Sequence, residues 1–472
     1  MPWVEAVRPT RMERVAVVTP SAALRDVLAA VADAGVLEPE VLEHVGSRPV
    51  GALWDRVRSS TAGTPVTPVL ASLRPDPEEL VEAGRLGELA GESELERVMA
   101  GAARRGEVAA VLGWVPAADV APLARRLAAL GAGVTTLARP PGIDPPTLVP
   151  RAGASGAFQR LVDTYATVPY EDLNPSLGAG IAYVAMFGIM FGDVGHGLLL
   201  VALGLLLRAG RPHTLARLRW AAPFVIGAGL ASVAFGFAYG EAFGPTGLVP
   251  VLWLAPVDHA TTLLAVAIAV GAVLLAVAYA LGAVNRWREG GPRRALVALS
   301  GVAGIGLYVG LSVAGAGWYL HRTGVAVVGA VLAVTGLALG FEGLYVGAGG
   351  RSSGAVQAGV ESFDAVVRLG TNTISFARLA AFGLTHAALG QLVWSGTADL
   401  WDRGALLWAP AAAVFVVGNA VAFGLEGLVA GVQALRLEYY ELFSRIFVSE
   451  GRPFRPWHLS VVATKEASCS PG

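Results

Sequence analysis

The stretch "PSLGAGIAYVAMFGIMFGDVGHGLLLVALGLLLR" (residues 175–208) decides how often this chain crosses a membrane. It is apolar and longer than the about 20 residues that span a bilayer as a helix. The run "FGDVGHG" (191–197) interrupts it with glycines and with Asp193 and His196. We therefore predict two short membrane helices that meet at this run, rather than one long kinked span. Such a break must be buried in protein or face water, because unpaired backbone groups cannot face lipid.

The composition separates a charged first part of the chain from an apolar second part. Hydrophobic residues make up 54% of the 472 residues, charged residues make up 15%, and the mean hydropathy is +0.58. These values are typical of a membrane protein. Charged residues are frequent up to about residue 170 and sparse afterwards. We predict a small cytoplasmic α+β domain at 1–170, a transmembrane domain at 171–458 and a cytoplasmic C-terminal tail at 459–472.

Six further apolar segments follow the interrupted stretch, and each is long enough to span a bilayer. Together with the two short helices, they predict a mainly α fold with an eight-helix membrane domain. The segments lie near residues 220–240, 261–284, 295–318, 324–346, 361–395 and 405–444.

The distribution of arginines predicts the orientation of these helices. Arginines cluster at 208–219 and 285–294, whereas the linkers 240–260 and 395–404 contain one arginine between them. Short basic loops stay on the cytoplasmic side of a membrane. With eight crossings, both termini are then expected in the cytoplasm. The N-terminal stretch also lacks the apolar run and cleavage site of a secretory leader.

The last two apolar segments are too long to cross a bilayer perpendicularly. As helices, 361–395 and 405–444 would run about 50 to 60 Å at 1.5 Å per residue, against about 30 Å of hydrocarbon. We expect both helices to tilt strongly or to project beyond the bilayer. The short polar segment 395–404 between them predicts an antiparallel hairpin.

The first helix of this hairpin carries an arginine near its middle. Arg378 lies within "TNTISFARLAAFGLTHAALGQLV" (371–393), and a charge at membrane depth is costly and normally kept for a function. At about 100° per residue, Thr371, Ser375 and Thr385 share its face. Because snorkelling to an interface is strained from this position, we predict a functional role for the arginine.

Further polar side chains lie on the same hairpin. His386 follows on the first helix, and Glu426 and Arg436 lie on the second. Gln433 shares a face with Arg436, and Glu426 is about 80° to one side. Taken alone, His386 fits a hydrogen-bonded packing histidine and Arg436 fits an interfacial residue. Together with Arg378, the second arginine could present two guanidiniums to a shared surface.

Several kinds of chemistry are not indicated by the sequence. The single cysteine, Cys469, excludes an intramolecular disulfide and a cysteine-rich metal cluster, and we expect neither a metal nor a cofactor. The single lysine, Lys465, does not follow a glycine-rich loop, so the P-loop pattern for phosphates is missing. A net charge of −1 argues against a nucleic-acid binder. We expect no catalytic site within this chain.

Five stretches, in order along the chain, share one resemblance. They are "FGIMFGDVGHGL", "FAYGEAFG", "AYALGAVNRWREG", "NTISFARLAAFGLTHAAL" and "GLEGLVAGVQALRLEYYELFSRIFVSEGRPFRPW". These stretches resemble the a subunit, or subunit I, of rotary V-type and A-type ATPases, which form the V-type ATPase 116 kDa subunit family. The resemblance extends over about residues 175–458.

The resemblance implies a stator subunit that carries protons, or sodium ions, past a rotating ring of proteolipid subunits. It implies that Arg378 displaces the ion from the ring carboxylate and that Arg436 assists it. It also implies that His386 and Glu426 line an aqueous half-channel. Further possible half-channel residues are Asp193 and His196, near the other half-channel, and Ser375 and Gln433.

The implied partners are the proteolipid ring, peripheral stalk subunits, soluble ATPase subunits and membrane lipid, with no nucleic acid. The implied location is a prokaryotic plasma membrane, crossed several times. The alternative is a free-standing secondary ion-coupled transporter with a soluble N-terminal domain, for which inverted repeats are expected. "FGDVGHG" has no second copy in the sequence.

The N-terminal part contains two similar β-then-α units, at 14–38 and 107–141, which suggest a ferredoxin-like lobe. The family usually carries a long antiparallel coiled coil between such units. Here only residues 40–105 separate them, and they contain no heptad run of several turns. We therefore expect a shortened coiled-coil region and an altered contact with the peripheral stalks.

Overall fold

The computed structural model describes most of the chain. The described residues are 8–40, 66–71, 75–140, 142–149, 153–210, 213–447 and 450–462. The chain folds as two units: an αβ unit of Pro9–Val149 with Gly451–Gly472, and a helical unit of Met1–Arg8 with Pro150–Glu450. Lys465, Cys469 and most of the shortened coiled-coil region before residue 66 lie outside the described residues.

The αβ unit contains one antiparallel sheet and one short pair of strands. The strands are β1 (Met12–Pro20), β2 (Glu38–Pro39), β3 (Val69–Ala71), β4 (Ala103–Arg105), β5 (Val108–Pro116), β6 (Gly133–Leu137) and β7 (Ser460–Val462). The sheet has the order β2-β5-β1-β6, with β4 paired to β5. β1 and β5 are its long central strands, with Met12 opposite Pro116 and Pro20 opposite Val108.

Helices cover this sheet through apolar stripes. The helices of the unit are α1 (Leu24–Ala34), α2 (Pro77–Glu82), α3 (Leu86–Ala100) and α4 (Val120–Ala128). α1 buries Leu24, Val27, Leu28 and Val31, the spacing of one face of an amphipathic helix. The two predicted β-then-α units are confirmed as β1–α1 and β5–α4.

The segment after the last membrane helix completes the core of the αβ unit. Trp457 and Leu459 are buried with Val31 and Leu37. Trp457 N–H donates to Leu37 O (2.9 Å), and β7 pairs in parallel with β3. The sequence prediction treated 459–472 as a separate tail, but the described part of this segment is a strand of the αβ unit. Leu459, at the start of this segment, is buried there rather than left in solvent.

The helical unit consists of eleven named helices within the described chain. They are α5 (Gly153–Tyr165), α6 (Ser176–Met190), α7 (Val194–Ala209), α8 (Ala222–Tyr239), α9 (Ala260–Val297), α10 (Val302–Tyr319), α11 (Thr323–Gly347), α12 (Ser352–Ser375), α13 (Ala377–Asp402), α14 (Trp408–Val421) and α15 (Gly427–Leu437). α5 packs on α6, which explains why this unit begins near residue 150 rather than at the predicted boundary of 170.

Five helical segments of the described chain are long and apolar enough to cross a membrane. They are Ala216–Tyr239, Ala260–Val297, Val302–Tyr319, Thr323–Gly347 and Ala405–Ile446. α6 and α7 are shorter apolar helices, and the predicted interruption between them is confirmed. α12 and α13 are not among the five, so the eight predicted crossings are supported only in part.

The predicted hairpin at the end of the helical unit is present but differs in detail. Instead of one helix at 361–395, α12 and α13 meet at the fully buried Phe376. A Cβ at Gly271 of α9 would lie 2.1 Å from the Phe376 ring, so the ring sits where only glycine leaves room. α13 continues to Asp402, and the turn follows at Gly404, whose φ is 117°.

The last helical run contains two wide turns. α14 is joined to α15 by the π-helical segment Ala422–Glu426, and α15 continues into a second π-helical segment, Glu438–Phe443. The final helical turn is Ser444–Ile446. π segments inside α-helices are frequent at functional sites.

Glycines allow α7 and α8 to approach closely beside the interruption. A Cβ at Gly197 would lie 2.8 Å from Gly229 O, and a Cβ at Gly236 would lie 2.4 Å from Val194 N and 2.6 Å from Asp193 C. These neighbours are backbone atoms, which cannot move aside as a flexible side chain can. The position of Asp193 therefore depends on the absence of a side chain at Gly236.

A group of buried ionisable side chains holds the segment that leads into α6. Leu173 N–H donates to Asn285 Oδ1 (3.0 Å), and Arg286 pairs with Glu289 and lies 4.0 Å from Asp172. Asp172 is fully buried. Burial, and then the negative charge of Glu289, raise the pKa of the Asp172 carboxyl to about 7. This segment is therefore held by groups that respond to pH.

We expect Gly236→Ala to destabilise the protein by about 1–3 kcal/mol, because the added methyl group meets backbone atoms in a packed interior. Thermal unfolding of the purified protein in detergent measures this effect. Gly178→Ala in α6 is the matched control, since a Cβ there meets nothing within 4 Å and alanine favours a helix. Equal melting temperatures for the two variants would contradict the packing argument.

We expect the free energy of unfolding to fall as the pH rises from about 4 through about 7. The folded-state pKa of Asp172 is about 7, and the unfolded value is about 3.9. The folded protein therefore holds a proton that unfolding releases, so its contribution to stability is complete below about pH 4 and is lost as the pH rises through 7. Unfolding curves measured at several pH values give the free energy of unfolding as a function of pH. This free energy should fall less steeply with pH in Asp172→Asn. The exposed Asp402→Asn is the control, and an unchanged slope in Asp172→Asn would refute this prediction.

Candidate functional site

A buried carboxylate holds the interruption between α6 and α7. Asp193 Oδ1 accepts a hydrogen bond from His196 N–H (2.8 Å), and Oδ2 accepts one from Gly244 N–H (2.9 Å). Val194 N–H donates to Glu241 O (2.9 Å). Val194 N–H and His196 N–H, two of the backbone donors at the start of α7, are thereby paired. The carboxylate also fixes the loop after α8, which carries Glu241.

The first turn of α7 lies against the hairpin. The ring centroids of His196 and His386 are 5.5 Å apart, and His386 Nδ1 lies 2.5 Å from a carboxylate oxygen of Glu426. Glu426 ends the first π-helical segment. Four parts of the chain thus contribute to one group, which we call the histidine–carboxylate cluster. It consists of Asp193, His196, Glu241, His386 and Glu426.

The histidine–carboxylate cluster is enclosed by aromatic rings. Phe191 lies 4.6 Å from the His386 ring and 5.6 Å from the His196 ring, and Phe243 and Phe423 lie 5.3 and 5.8 Å from His196. Among the described residues, none forms a hydrogen bond of normal geometry with either ring nitrogen of His196. The cluster is therefore a group of polar side chains surrounded by apolar ones, and electrostatic interactions are strong in such an environment.

Arg378 lies near the start of α13, two residues after the break at Phe376. Its side chain is half-buried, and its Nη1 donates to Gln433 Oε1 at 3.4 Å. Within the described chain, Arg378 forms no salt bridge with a carboxylate. Its one hydrogen-bond partner there is a neutral side chain, so its positive charge is not compensated by a direct ion pair.

A second acidic position lies on the other side of this guanidinium. Glu441 is buried in the second π-helical segment, and it interacts electrostatically with Arg378 and Arg436 and with the Ser375 hydroxyl. Arg436 itself is exposed. The two arginines therefore lie near the same carboxylate, although neither forms a close ion pair with it.

The two polar regions lie at different levels of α13. Arg378 and His386 are eight residues apart on one continuous helix, which corresponds to about 12 Å along its axis. Ser375 and Glu441 lie on the opposite side of Arg378 from the histidine–carboxylate cluster. A fixed positive charge is thus positioned between two regions that contain buried titratable side chains.

The sequence identified most of these residues but not all of their neighbours. His386 and Glu426 were predicted to act together and are in contact, and Arg378 and Gln433 are hydrogen-bonded. Asp193 and His196 were assigned to the surroundings of the other half-channel, whereas the structure brings them to His386. The sequence prediction missed Glu241, although "FAYGEAFG" contains it, and Glu441, which lies within "ALRLEYYE".

Comparisons with known proteins agree on one family. Residues 99–243 match the V-type ATPase 116 kDa subunit family. Subunit I of the A-type ATP synthase of Pyrococcus horikoshii is 26% identical over 370 residues, 74% of this chain and 53% of the relative. The Aeropyrum pernix subunit is 27% identical, over 66% of this chain and 51% of its own length. The human V-type proton ATPase 116 kDa subunit a 3 is 37% identical over 119 residues, 23% of this chain and 14% of its own.

The chain spans about half the length of the two archaeal relatives. The matches reach across both units, and the structure adds five apolar helices long enough to cross a membrane. The chain is therefore an integral membrane protein that is similar to the V-type ATPase 116 kDa subunit family over residues 99–243.

Proposed function

We propose that this chain is the stator membrane subunit of a rotary V-type or A-type ATPase, where it forms proton or sodium half-channels against a rotating proteolipid ring. The observation that carries the proposal is Arg378, a half-buried guanidinium whose hydrogen-bond partner is the neutral Gln433. A charge kept inside a membrane protein at this cost has a task. Without a close carboxylate in the described chain, it can interact with one on another subunit.

The physical role of Arg378 follows from the cost of moving a charge through lipid. A ring carboxylate must be neutral while it faces hydrocarbon. Beside a fixed guanidinium it is favoured in its charged form, so an arriving site gives up its ion. Arginine also keeps its charge in an apolar site, where lysine can lose its proton. Arg378 would displace the ion and, with Arg436, prevent direct passage between the two half-channels.

We assign the two polar regions to the two half-channels. The histidine–carboxylate cluster would line one of them, with His386 and Glu426 as the groups nearest the ring. Ser375, Gln433 and Glu441 would line the other. The support for this assignment is that Arg378 lies between Ser375, the last residue of α12, and His386, further along α13. Transfer from one region to the other would then go by way of the ring.

We further propose eight membrane crossings, with α6 and α7 as two short ones and both termini in the cytoplasm of a prokaryotic cell. The arginine-rich segments 208–219, between α7 and α8, and 285–294, near the end of α9, support this orientation. The αβ unit would then face the cytoplasm. There it would meet the peripheral stalk subunits and the soluble ATPase subunits.

A free-standing ion-coupled transporter is the second candidate, because an interrupted helix beside a buried polar cluster also occurs in such proteins. Co-purification distinguishes the stator subunit from the free-standing transporter. A stator is expected to come out of the membrane with a small proteolipid ring and soluble ATPase subunits, and a transporter is expected to come out alone.

Arg378→Gln is expected to reduce ion-coupled ATP turnover in the assembled complex to background, because the neutral side chain no longer displaces the ion from the ring. Ion uptake into vesicles driven by ATP measures this coupling. Arg403→Gln is the matched control, since Arg403 is exposed at the far end of α13. Intact coupling in Arg378→Gln would disprove the mechanism.

Glu426→Gln is expected to lower ion-coupled turnover by at least about tenfold, because the amide keeps the shape of the side chain but cannot exchange protons with His386. Glu342→Gln on α11 serves as control, since it removes an exposed carboxylate of the same unit. The same loss in both variants, or no loss in either, would argue against a half-channel at the histidine–carboxylate cluster.

A further inference from the structure

The histidine–carboxylate cluster has the composition and spacing of a transition-metal site. Asp193, His196 and His386 are buried, and one ligand atom of each lies within 4.8 Å of the others. In a tetrahedral zinc site with bonds of about 2.0–2.1 Å, neighbouring ligand atoms are about 3.4 Å apart. The separations thus exceed those of a formed site by at most about 1.4 Å, a distance within reach of rotations of the imidazole rings.

A second observation indicates a ligand for His196. Its side chain is 1% exposed, and within the described chain neither ring nitrogen forms a hydrogen bond of normal geometry, although the Asn419 side chain interacts with the ring. Buried polar atoms are nearly always paired. The ring of His196 faces two other donors: its Nδ1 lies 3.7 Å from Asp193 Oδ1, and its centroid lies 5.5 Å from that of His386. An unpaired imidazole between a carboxylate and a second imidazole suits a cation.

The other two donors are held in place as metal ligands usually are. Each oxygen of Asp193 accepts one backbone N–H, and each keeps a further lone pair. His386 shares a hydrogen bond with Glu426, and a histidine ligand typically uses its second ring nitrogen in this way, with a carboxylate that orients it. The surrounding phenylalanine rings lower the local polarity, which strengthens the attraction between these donors and a cation.

We propose that Asp193, His196 and His386 form a binding site for a divalent transition metal ion, with Zn²⁺ as the preferred ion and Glu426 as the positioning residue of His386. Two imidazoles and one carboxylate suit Zn²⁺, whereas Mg²⁺ and Ca²⁺ prefer all-oxygen sites. The sequence-based expectation of no metal considered cysteine clusters and missed this set. If the proposed half-channel function also holds, a bound Zn²⁺ occupies the ion path and hinders ion passage.

Metal binding by the full-length protein in detergent tests the site. After removal of metals with a chelator, the protein is titrated with Co²⁺, whose visible absorption reports four-coordination, and then with Zn²⁺. We expect one Co²⁺ per chain, displaced by Zn²⁺. His196→Gln and His386→Gln are each expected to raise the dissociation constant more than about tenfold. His259→Gln and His321→Gln change exposed histidines of the same unit. These two control variants should leave the dissociation constant unchanged.

X-ray absorption of the Zn²⁺-loaded natural protein tests the ligand set without a variant, and two imidazole nitrogens at about 2.0–2.1 Å are expected. Fewer than two imidazoles, no uptake of metal, or unchanged affinity in both cluster variants overturns the proposal. The chain is measured alone, so the outcome does not depend on rotary coupling. Loss of coupling in Arg378→Gln with no metal bound refutes the metal site alone, and metal binding with intact coupling in that variant refutes the stator mechanism alone.

Discussion

The rest of the helical unit depends on a carboxylate that satisfies the backbone where a helix is interrupted. In an apolar interior no water is available for unpaired N–H groups, and each unpaired group costs about 1–3 kcal/mol. Asp193 accepts from the first turn of α7 and from Gly244 of the following loop. One side chain therefore stabilises the break, fixes the loop that carries Glu241, and positions His196 against the hairpin.

The hairpin uses the opposite arrangement, a charge left without a direct counterion. Gln433 orients the guanidinium of Arg378 but does not neutralise it. Glu441 lies near both arginines without forming a close ion pair with either. A direct carboxylate partner would make the positive charge unavailable to anything outside the chain. At the break, the helical unit thus pairs the backbone N–H groups of Val194, His196 and Gly244. On α13 it keeps a positive charge that has no direct ion pair within the described chain.

The sequence predicted the structural features that depend on local composition. It did not predict the positions of residues that depend on the helical phase or on contacts between distant parts of the chain. The glycines around Asp193 indicated the break between α6 and α7. Glu441 was missed because residues five apart in a regular α-helix, such as Arg436 and Glu441, are about 140° apart. Glu441 lies in the π-helical segment Glu438–Phe443, whose wider turns change the helical phase. The sequence next to Phe376 contains no glycine or proline that would predict a break there. The Phe376 ring fits because Gly271, distant in sequence, has no side chain.

The burial of Trp457 and Leu459 in the αβ unit has a consequence for biosynthesis. Chains are made from the N-terminus, and domains generally fold as they emerge. Here β3 can pair only after β7 has been synthesised, and Leu37 O can accept its hydrogen bond only after Trp457 has been synthesised. The αβ unit can therefore complete its core only after all the membrane helices have left the ribosome. Until then, its unfinished edge remains open to chaperones and proteases, which makes the unit a late checkpoint on synthesis of the whole membrane part.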